Sequence, residues 1–235
     1  MTRRRWIADE ISADRASLLG AHAEHLSRVL RAQVGQEFDI TTGDEVRRGR
    51  ITSITASKVE FELGDAVPAS APLQVTLVLA IFKFDRMEWA IEKCTELGVA
   101  RIIPVIARRT EAYLSAAAPK RVDRWRKIAV QATEQSRRIS TPEVCSPVKL
   151  KEATALPGVR IFLSENERSA MLKDVLVNRL SEALVIAVGP EGGWSDDESK
   201  RFQEEGWLPA SLGGTILRAE TAAIAAMAIC QSELT

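Results

Sequence analysis

Histidine is scarce in this chain. Its 235 residues hold two, His22 and His25, spaced i and i+3. With no cysteine or acidic support in a ligand pattern they do not read as a metal pair, and no metal is expected. No GxSxG turn accompanies them, which weighs against a Ser-His-Asp hydrolase. Cysteine is scarce too. Cys94, Cys145 and Cys230 are odd in number, far apart, and show no CxxC spacing. That usage fits a reducing compartment, argues against a zinc site, and makes a cytoplasmic location the expectation. No apolar run is long enough to cross a bilayer, and none follows the basic start Met1–Trp6. Neither a membrane span nor a secretory signal is therefore expected. Internal repeats and low-complexity segments are also missing.

Net charge is zero, which alone would speak against a nucleic-acid partner, but the charge is unevenly placed. Residues 1–100 carry 13 basic and 15 acidic side chains, residues 139–235 carry 9 and 14. Residues 101–138 carry 10 and 3, net +7: Arg101, Arg108, Arg109, Lys120, Arg121, Arg124, Arg126, Lys127, Arg137 and Arg138. This is either a polyanion footprint or a solvated helix face.

With 46% apolar residues the chain can build a proper core, as one large domain or two smaller ones. The first 66 residues read as β-rich. Phe38–Thr41, Arg50–Ile54 and Lys58–Leu63 are short β-prone runs, and Ala23–Leu30 reads as a short helix with Leu26, Val29 and Leu30 on one side. Several short strands in so few residues suggest a small barrel. Val67–Pro72, with two prolines among small residues, reads as a linker. Beyond it the pattern becomes strand-helix alternation. Leu73–Phe82, Arg101–Ile106, Arg160–Ser164, Leu184–Val188 and Trp207–Leu212 read as strands. Arg86–Leu97, Lys120–Arg138, Ser195–Glu205 and Ala219–Gln231 read as helices. Such alternation predicts an α/β fold, a parallel sheet covered on both faces.

Three turns then follow strands: Ser164–Asn166, Gly189–Gly193 and Leu212–Arg218. Ligands of open α/β sheets sit beyond the carboxyl ends of strands, so the three turns can share one site. The middle one, within VGPEGGWSDDE at 188–198, has the strand, glycine turn and capped helix start of a phosphate cradle. Both phosphate fingerprints fail, however. Glu191 stands where GxGxxG needs glycine, and Trp194 stands where a P-loop needs Gly-Lys. Glu191, Asp196 and Asp197 would repel phosphate. Glu191 reads either as a partner of the helix dipole or as a contact for a cationic ligand or an acidic proton. Arg218, Glu220 and Thr221, in LRAET, each have a structural reading as ion pair or local acceptor. Trp89, Trp125, Trp194 and Trp207 read as core or rim aromatics, with base stacking by Trp194 as the alternative.

Five stretches carry a family resemblance along nearly the whole chain. They are HLSRVLRAQVG at 25–35 with Thr42-Gly43-Asp44, RMEWAIEKCTELGVARIIPV at 86–105, RWRKIAVQATEQSRR at 124–138, VGPEGGWSDDE, and LGGTILRAETA at 212–222. Together they resemble the RsmE-type 16S rRNA (uracil-N3)-methyltransferases of the SPOUT superfamily. The last two, found together at this spacing, are the specific ones. Two positions depart from the pattern: Thr215, where the family often has arginine, and Arg137, where many members have glycine.

The resemblance implies a PUA-like β-barrel RNA-binding domain at 1–71 and a SPOUT methyltransferase domain at 72–235 with a C-terminal trefoil knot. It also implies a homodimer and S-adenosylmethionine as cofactor, a sulfonium cation that explains an acid in the turn. The cofactor walls it implies are Leu163, Ser164 and Glu165; Gly189, Pro190, Glu191 and Gly192; and Leu212, Gly213, Ile216, Leu217, Arg218 and Thr221. Arg218 is the implied stabiliser of the uracil anion, and Glu191 and Glu220 both stay open as proton acceptor. Arg28, Arg31, Lys83, Arg86, Arg109, Lys127, Arg137 and Arg138 are the implied contacts to 16S rRNA or the small ribosomal subunit. A non-enzymatic assembly factor and a SPOUT enzyme with another RNA target are the alternatives.

Overall fold

The computed structural model describes residues 5–43, 45–68, 73–136, 138–177 and 183–234. It forms two compact units, Met1–Ala71 with Thr133–Ser140, and Pro72–Ala132 with Thr141–Thr235. Of the sequence features singled out above, residues 1–4 of the basic start, Asp44, the linker residues 69–72 and Arg137 lie outside the described residues.

In the first unit, six strands make one sheet: β1 (Arg5–Ile7), β2 (Glu10–Ser12), β3 (Arg15–Leu19), β4 (Glu37–Thr41), β5 (Val46–Ile54) and β6 (Lys58–Ala66). Their order is β1-β4-β5-β6-β3-β2. All pairings are antiparallel but β1 with β4. Period-two alternation sends Val59, Phe61 and Leu63 inward to meet Leu18, Ile40 and Ile51. Gly49 sits at a register shift in β5, and a Cβ there would collide with Ile40. The glycine lets the strand bend over its own core. The sequence reading finds β4 to β6 but not β1 to β3, because the exposed, three-residue β2 offers no alternation to read.

The helix expected over Ala23–Leu30 differs in kind. A short helix α1 (Gly20–Glu24) passes into a wide turn, His25–Val29, in which Leu30 N–H donates to the His25 carbonyl. The extra residue per turn rotates the face. Leu26 stays buried while Val29 becomes 67% exposed, so the predicted apolar side loses Val29.

The second unit is a seven-stranded, all-parallel sheet. Its strands are β7 (Val75–Ala80), β8 (Arg101–Ile106), β9 (Glu143–Val144), β10 (Val148–Lys149), β11 (Val159–Leu163), β12 (Leu184–Val188) and β13 (Leu208–Ala210). The order is β10-β8-β7-β12-β11-β13, with β9 beside β8. The helices are α2 (Phe84–Glu96), α3 (Ala112–Ala117), α4 (Val122–Ser136), α5 (Leu150–Thr154), α6 (Leu172–Leu176), α7 (Asp196–Glu204) and α8 (Ala219–Leu234).

Both faces of the sheet are covered, which is why β7 and β12 read as continuous apolar runs. On one face Leu77, Leu79 and Ile186 pack with Met87, Ile91, Trp125, Ala223 and Met227. On the other, Phe162 stacks on Phe202 at 4.9 Å between centroids, and Trp194 and Trp207 meet Phe202 edge-on at the same distance. Of the tryptophans read as core or rim, Trp125 and Trp207 lie in the core and Trp89, 47% exposed, lies at the rim. The helix expected from Lys120 starts at Val122, after a tighter turn holding Pro119. The strand expected over Trp207–Leu212 closes at Ala210, freeing the chain beyond it for the site.

Candidate functional site

The three turns converge at the carboxyl ends of β11, β12 and β13. The first and third are laced through backbone bonds. Ser164 N–H donates to the Ala210 carbonyl at 3.0 Å, Ser211 N–H to Ala170 at 2.8 Å, and Leu172 N–H to Ser211 at 2.9 Å. The Ser211 hydroxyl lies 3.2 Å from both the N–H and the carbonyl of Gly213, bending the third turn back on itself. The first turn reaches the second at Gly193, where an added Cβ would sit 3.3 Å from a Glu165 carboxylate oxygen.

The second turn is tight. Gly193 N–H donates to the Pro190 carbonyl at 2.8 Å, and Gly193 has φ +69°, a conformation that favours glycine. Trp194 lies buried behind Gly189. It is a wedge under the turn, so base stacking by Trp194 is set aside. Arg109 donates from one guanidinium nitrogen to the carbonyls of Gly192 and Trp194, the latter at 3.2 Å. Behind the turn, Ser195 caps α7 in the expected box. Its N–H and hydroxyl donate to Glu198 at 2.9 and 3.0 Å, and the other Glu198 oxygen accepts the Arg108 N–H at 2.7 Å. One buried carboxylate thus joins the α7 start to the end of β8.

The acids of the site meet on one cation. Arg86 donates to Glu191 at 3.0 Å and lies 3.7 Å from Glu220. Glu220 is 4% exposed, and its second carboxylate oxygen has no hydrogen-bond partner among the described residues. Arg218 is exposed at the end of the third turn, and its guanidinium makes no ion pair or hydrogen bond with any described residue. Leu163, Ser164, Leu212 and Leu217 are half-buried; Glu165, Gly192, Gly213 and Thr221 are exposed, and Ile216 is 83% exposed. An apolar side chain so uncovered beside open backbone is suited to covering a ligand. Below the first turn, Glu167 accepts from the Ser169 hydroxyl and from the N–H groups of Ser169 and Ala170. These bonds hold its carboxyl down at about 2.

The residues expected at the RNA surface are dispersed. Arg28 pairs with Glu24 and Arg31 is exposed with φ +51°, both in the first unit. Lys83 and Lys127 are exposed in the second. Arg138 is half-buried, and desolvation pushes its guanidinium down to about 10. Arg86 and Arg109 stand at the second turn. The basic stretch is partly neutralised as well. Arg101 faces Glu143, Arg121 and Arg124 face Glu88, and Arg126 faces Asp123.

Such a site offers backbone groups, three carboxylates and the Arg218 guanidinium, which has no partner among the described residues. It suits a cationic ligand with hydrogen-bonding edges better than a phosphate, because both arginines near the turn are already engaged. Among the described residues no group of His, Cys, Asp and Glu could hold a metal ion. Nor is any described helix long and apolar enough to cross a membrane. Sequence reasoning missed the binding of Arg86 and Arg109 to the turn, and the part of Ser211. Nothing local signals these contacts, since Arg86 and Glu191 are 105 residues apart.

The family model for the RNA methyltransferase domain matches residues 69–231. A Synechocystis protein named ribosomal RNA small subunit methyltransferase E is 33% identical over 226 residues, covering 94% of this chain and 74% of that protein. The Aquifex aeolicus protein of the same name is 31% identical, covering 86% and 88%. A crystal structure of ribosomal RNA small subunit methyltransferase E from Neisseria gonorrhoeae, bound to S-adenosyl methionine, superposes with a TM-score of 0.85 at 32% identity, covering 98% of each chain. With convergent turns, an acid-bearing glycine loop and likeness over nearly its whole length, the chain belongs to the ribosomal RNA small subunit methyltransferase E family.

Proposed function

We propose that this protein methylates N3 of a specific uridine in 16S rRNA of the small ribosomal subunit, with S-adenosylmethionine as methyl donor, as a cytoplasmic homodimer. The observation that carries the reading is the convergence of the three turns on a site with carboxylates, where Arg86 is paired with Glu191 and Glu220 and Arg109 is bound to the second turn. The domains are a PUA-like RNA-binding barrel over 1–71 and a SPOUT domain over 72–235. A trefoil knot at the C-terminal end is favoured by the strand order, in which β12 enters between β7 and β11 while β13 lies beyond β11. The alanine-rich α8, with Thr221 and Ala228 exposed, is suited to close helix approach in a dimer.

The residues present fit the cofactor. Glu165 and Glu191 supply negative charge at the turns. A Cβ at Gly193 would press on Glu165, while Gly213 and Gly214 have no atom within 4 Å of an added Cβ and leave room for a ligand. Leu163–Glu165, Gly189–Gly192, Leu212, Gly213, Ile216–Arg218 and Thr221 would hold it. When bound, S-adenosylmethionine supplies a methyl carbon made electrophilic by a positive sulfur.

The chain's own residues must do the rest. Uracil N3 carries a weakly acidic proton and is a poor nucleophile until that proton leaves. A carboxylate, Glu191 or Glu220, accepts it. Arg218, exposed at the end of the third turn and without a partner among the described residues, donates to the charge spreading onto O2 and O4. The turns align N3 with the methyl, a proximity effect. N3 lies on the Watson–Crick edge, so the uridine must be unpaired or swung out. Arg28, Arg31, Lys83, Lys127, Arg137 and Arg138 are the proposed RNA contacts, while Arg86 and Arg109 act at the turn.

Mass spectrometry of rRNA nucleosides from cells lacking the protein tests the reading. Loss of one methyluridine from 16S rRNA, restored by the unaltered gene, is expected. An unchanged nucleoside profile refutes it, and absence of S-adenosylmethionine binding in calorimetry favours a non-enzymatic assembly factor.

A further inference from the structure

Two carboxylates that could take the uracil proton share a single guanidinium, and their surroundings differ. The Glu191 side chain is 37% exposed on the turn, and Arg86 donates to it at 3.0 Å. The Glu220 side chain is 6% exposed; one oxygen lies 3.7 Å from the same Arg86 nitrogen, and the other is closed to solvent and has no hydrogen-bond partner among the described residues. We propose that Glu191 is the proton acceptor and that Arg86, held from behind by buried Glu220, is the positioning residue that aims it; this rests on the methyl-transfer reading above.

A substrate proton can reach Glu191 without rearrangement. Glu220 is far less open: its side chain is 6% exposed and one carboxylate oxygen is closed to solvent. Glu220 is suited to anchoring instead: it lies in that first turn, where the helix dipole favours negative charge. Arg86 enters from the first turn of α2, so one guanidinium ties three elements that the sequence keeps apart. In the step itself, the N3–H bond breaks and the proton passes to a Glu191 oxygen. The bonding pair stays on the ring, shared by N3, O2 and O4, and Glu191 later yields the proton to water.

Other charged or titratable groups stand around the turn. Arg109 is committed to the carbonyls of Gly192 and Trp194. Glu165 lies beside Gly193 and Arg218 ends the third turn. The Tyr113 hydroxyl on α3 is pushed up by desolvation, then by Glu111 and at longer range by Glu191. Among the described residues, Arg86 is the ion-pair partner of Glu191. Removing it would leave two carboxylates near each other with no cation between them, and a carboxylate so placed keeps its proton to higher pH.

Single-turnover methyl transfer to 16S rRNA, at saturating S-adenosylmethionine and across pH, tests the assignment. Thermal melts and calorimetric cofactor affinity are measured beside it. Glu191→Gln should slow transfer about a hundredfold or more and abolish the acidic limb of the pH profile. Arg86→Met should slow it about tenfold or more and move that limb to higher pH. Arg86→Lys should return the limb to its original place with partial recovery of rate. Glu220→Gln should slow transfer but keep the limb. If the limb survives in Glu191→Gln and vanishes in Glu220→Gln, the buried acid is the acceptor and the proposal is wrong. If Arg86→Met only lowers the melting temperature and leaves the limb in place, Arg86 is structural and the proposal is again wrong. No transfer by the unaltered chain would overturn the methyl-transfer reading and, with it, this assignment.

Discussion

The glycine turns and the basic stretch 101–138 both stand out in the sequence, one by backbone chemistry and the other by charge. In the folded chain they part ways. The first and third turns are linked by backbone bonds from 2.8 to 3.0 Å, the second meets the first where Gly193 lies beside Glu165, and Arg218 has no partner among the described residues. In the basic stretch Arg101, Arg121, Arg124 and Arg126 each face an acid, and Arg109 is drawn into the second turn. A glycine turn after a strand carries its geometry with it. A charge count carries no information about pairing, because the partners come from elsewhere in the chain, as Glu88 does for Arg124.

Four measurements break or sharpen that contrast. Arg218→Ala should cost most. If its guanidinium steadies the uracil anion, single-turnover transfer should fall about a hundredfold to a thousandfold. Arg218→Lys, without the planar fork, should recover part of that. A folded alanine variant with unaltered single-turnover rate would move Arg218 out of the chemistry.

Gly193→Val comes next. A branched side chain at φ +69°, pressed against Glu165, strains the turn by about 1–3 kcal/mol. Cofactor affinity in calorimetry should fall about tenfold or more, while the melting temperature drops by about 2–4 °C per kcal/mol for a chain of this size. Unchanged affinity would detach this turn from the ligand.

In the basic stretch the effects should be smaller and uneven. Lys127→Ala should weaken rRNA binding and lower the salt slope by about one, as one fewer counterion is released. Arg124→Ala, which removes a guanidinium already 2.7 Å from Glu88, should change the slope less. Equal slopes for both would mean that pairing in the free protein does not predict RNA contact.

The smallest effect concerns acid stability near the first turn. Glu167 is held down at about 2 by donors from Ser169 and Ala170, against an ordinary value of 4.5. A depressed carboxyl contributes stability above its unfolded value, and this is lost as pH falls from about 4.5 toward about 2. Glu167→Gln should therefore melt earlier than the unaltered chain at neutral pH, with the gap closing in that window. A gap independent of pH would assign the effect to packing.

Much of the second unit was legible. Leu184–Val188 is apolar throughout because it lies between two covered faces, and Ser195 with Glu198 announces the start of α7. The first unit was less so. Its edge strands are three residues long, and the wide turn at His25–Val29 exposes a valine that a regular helix would have turned inward. At the site, the turn-bearing residues could be named in advance, but the functions of Arg86 and Arg109 could not.

What the sequence by itself determined is local: hydrophobic period, glycine where φ is positive, a side chain within reach of its own helix start. Those depend on neighbours a few residues away, and they suffice for strands, caps and the candidate turns. The tertiary structure alone decided which turn touches which, and which charge is satisfied. Arg86 could have faced RNA by any local rule. It faces Glu191 and Glu220 because β12 lies next to β7 and α8 packs on α2, which brings carboxylates from distant segments within 4 Å of one guanidinium.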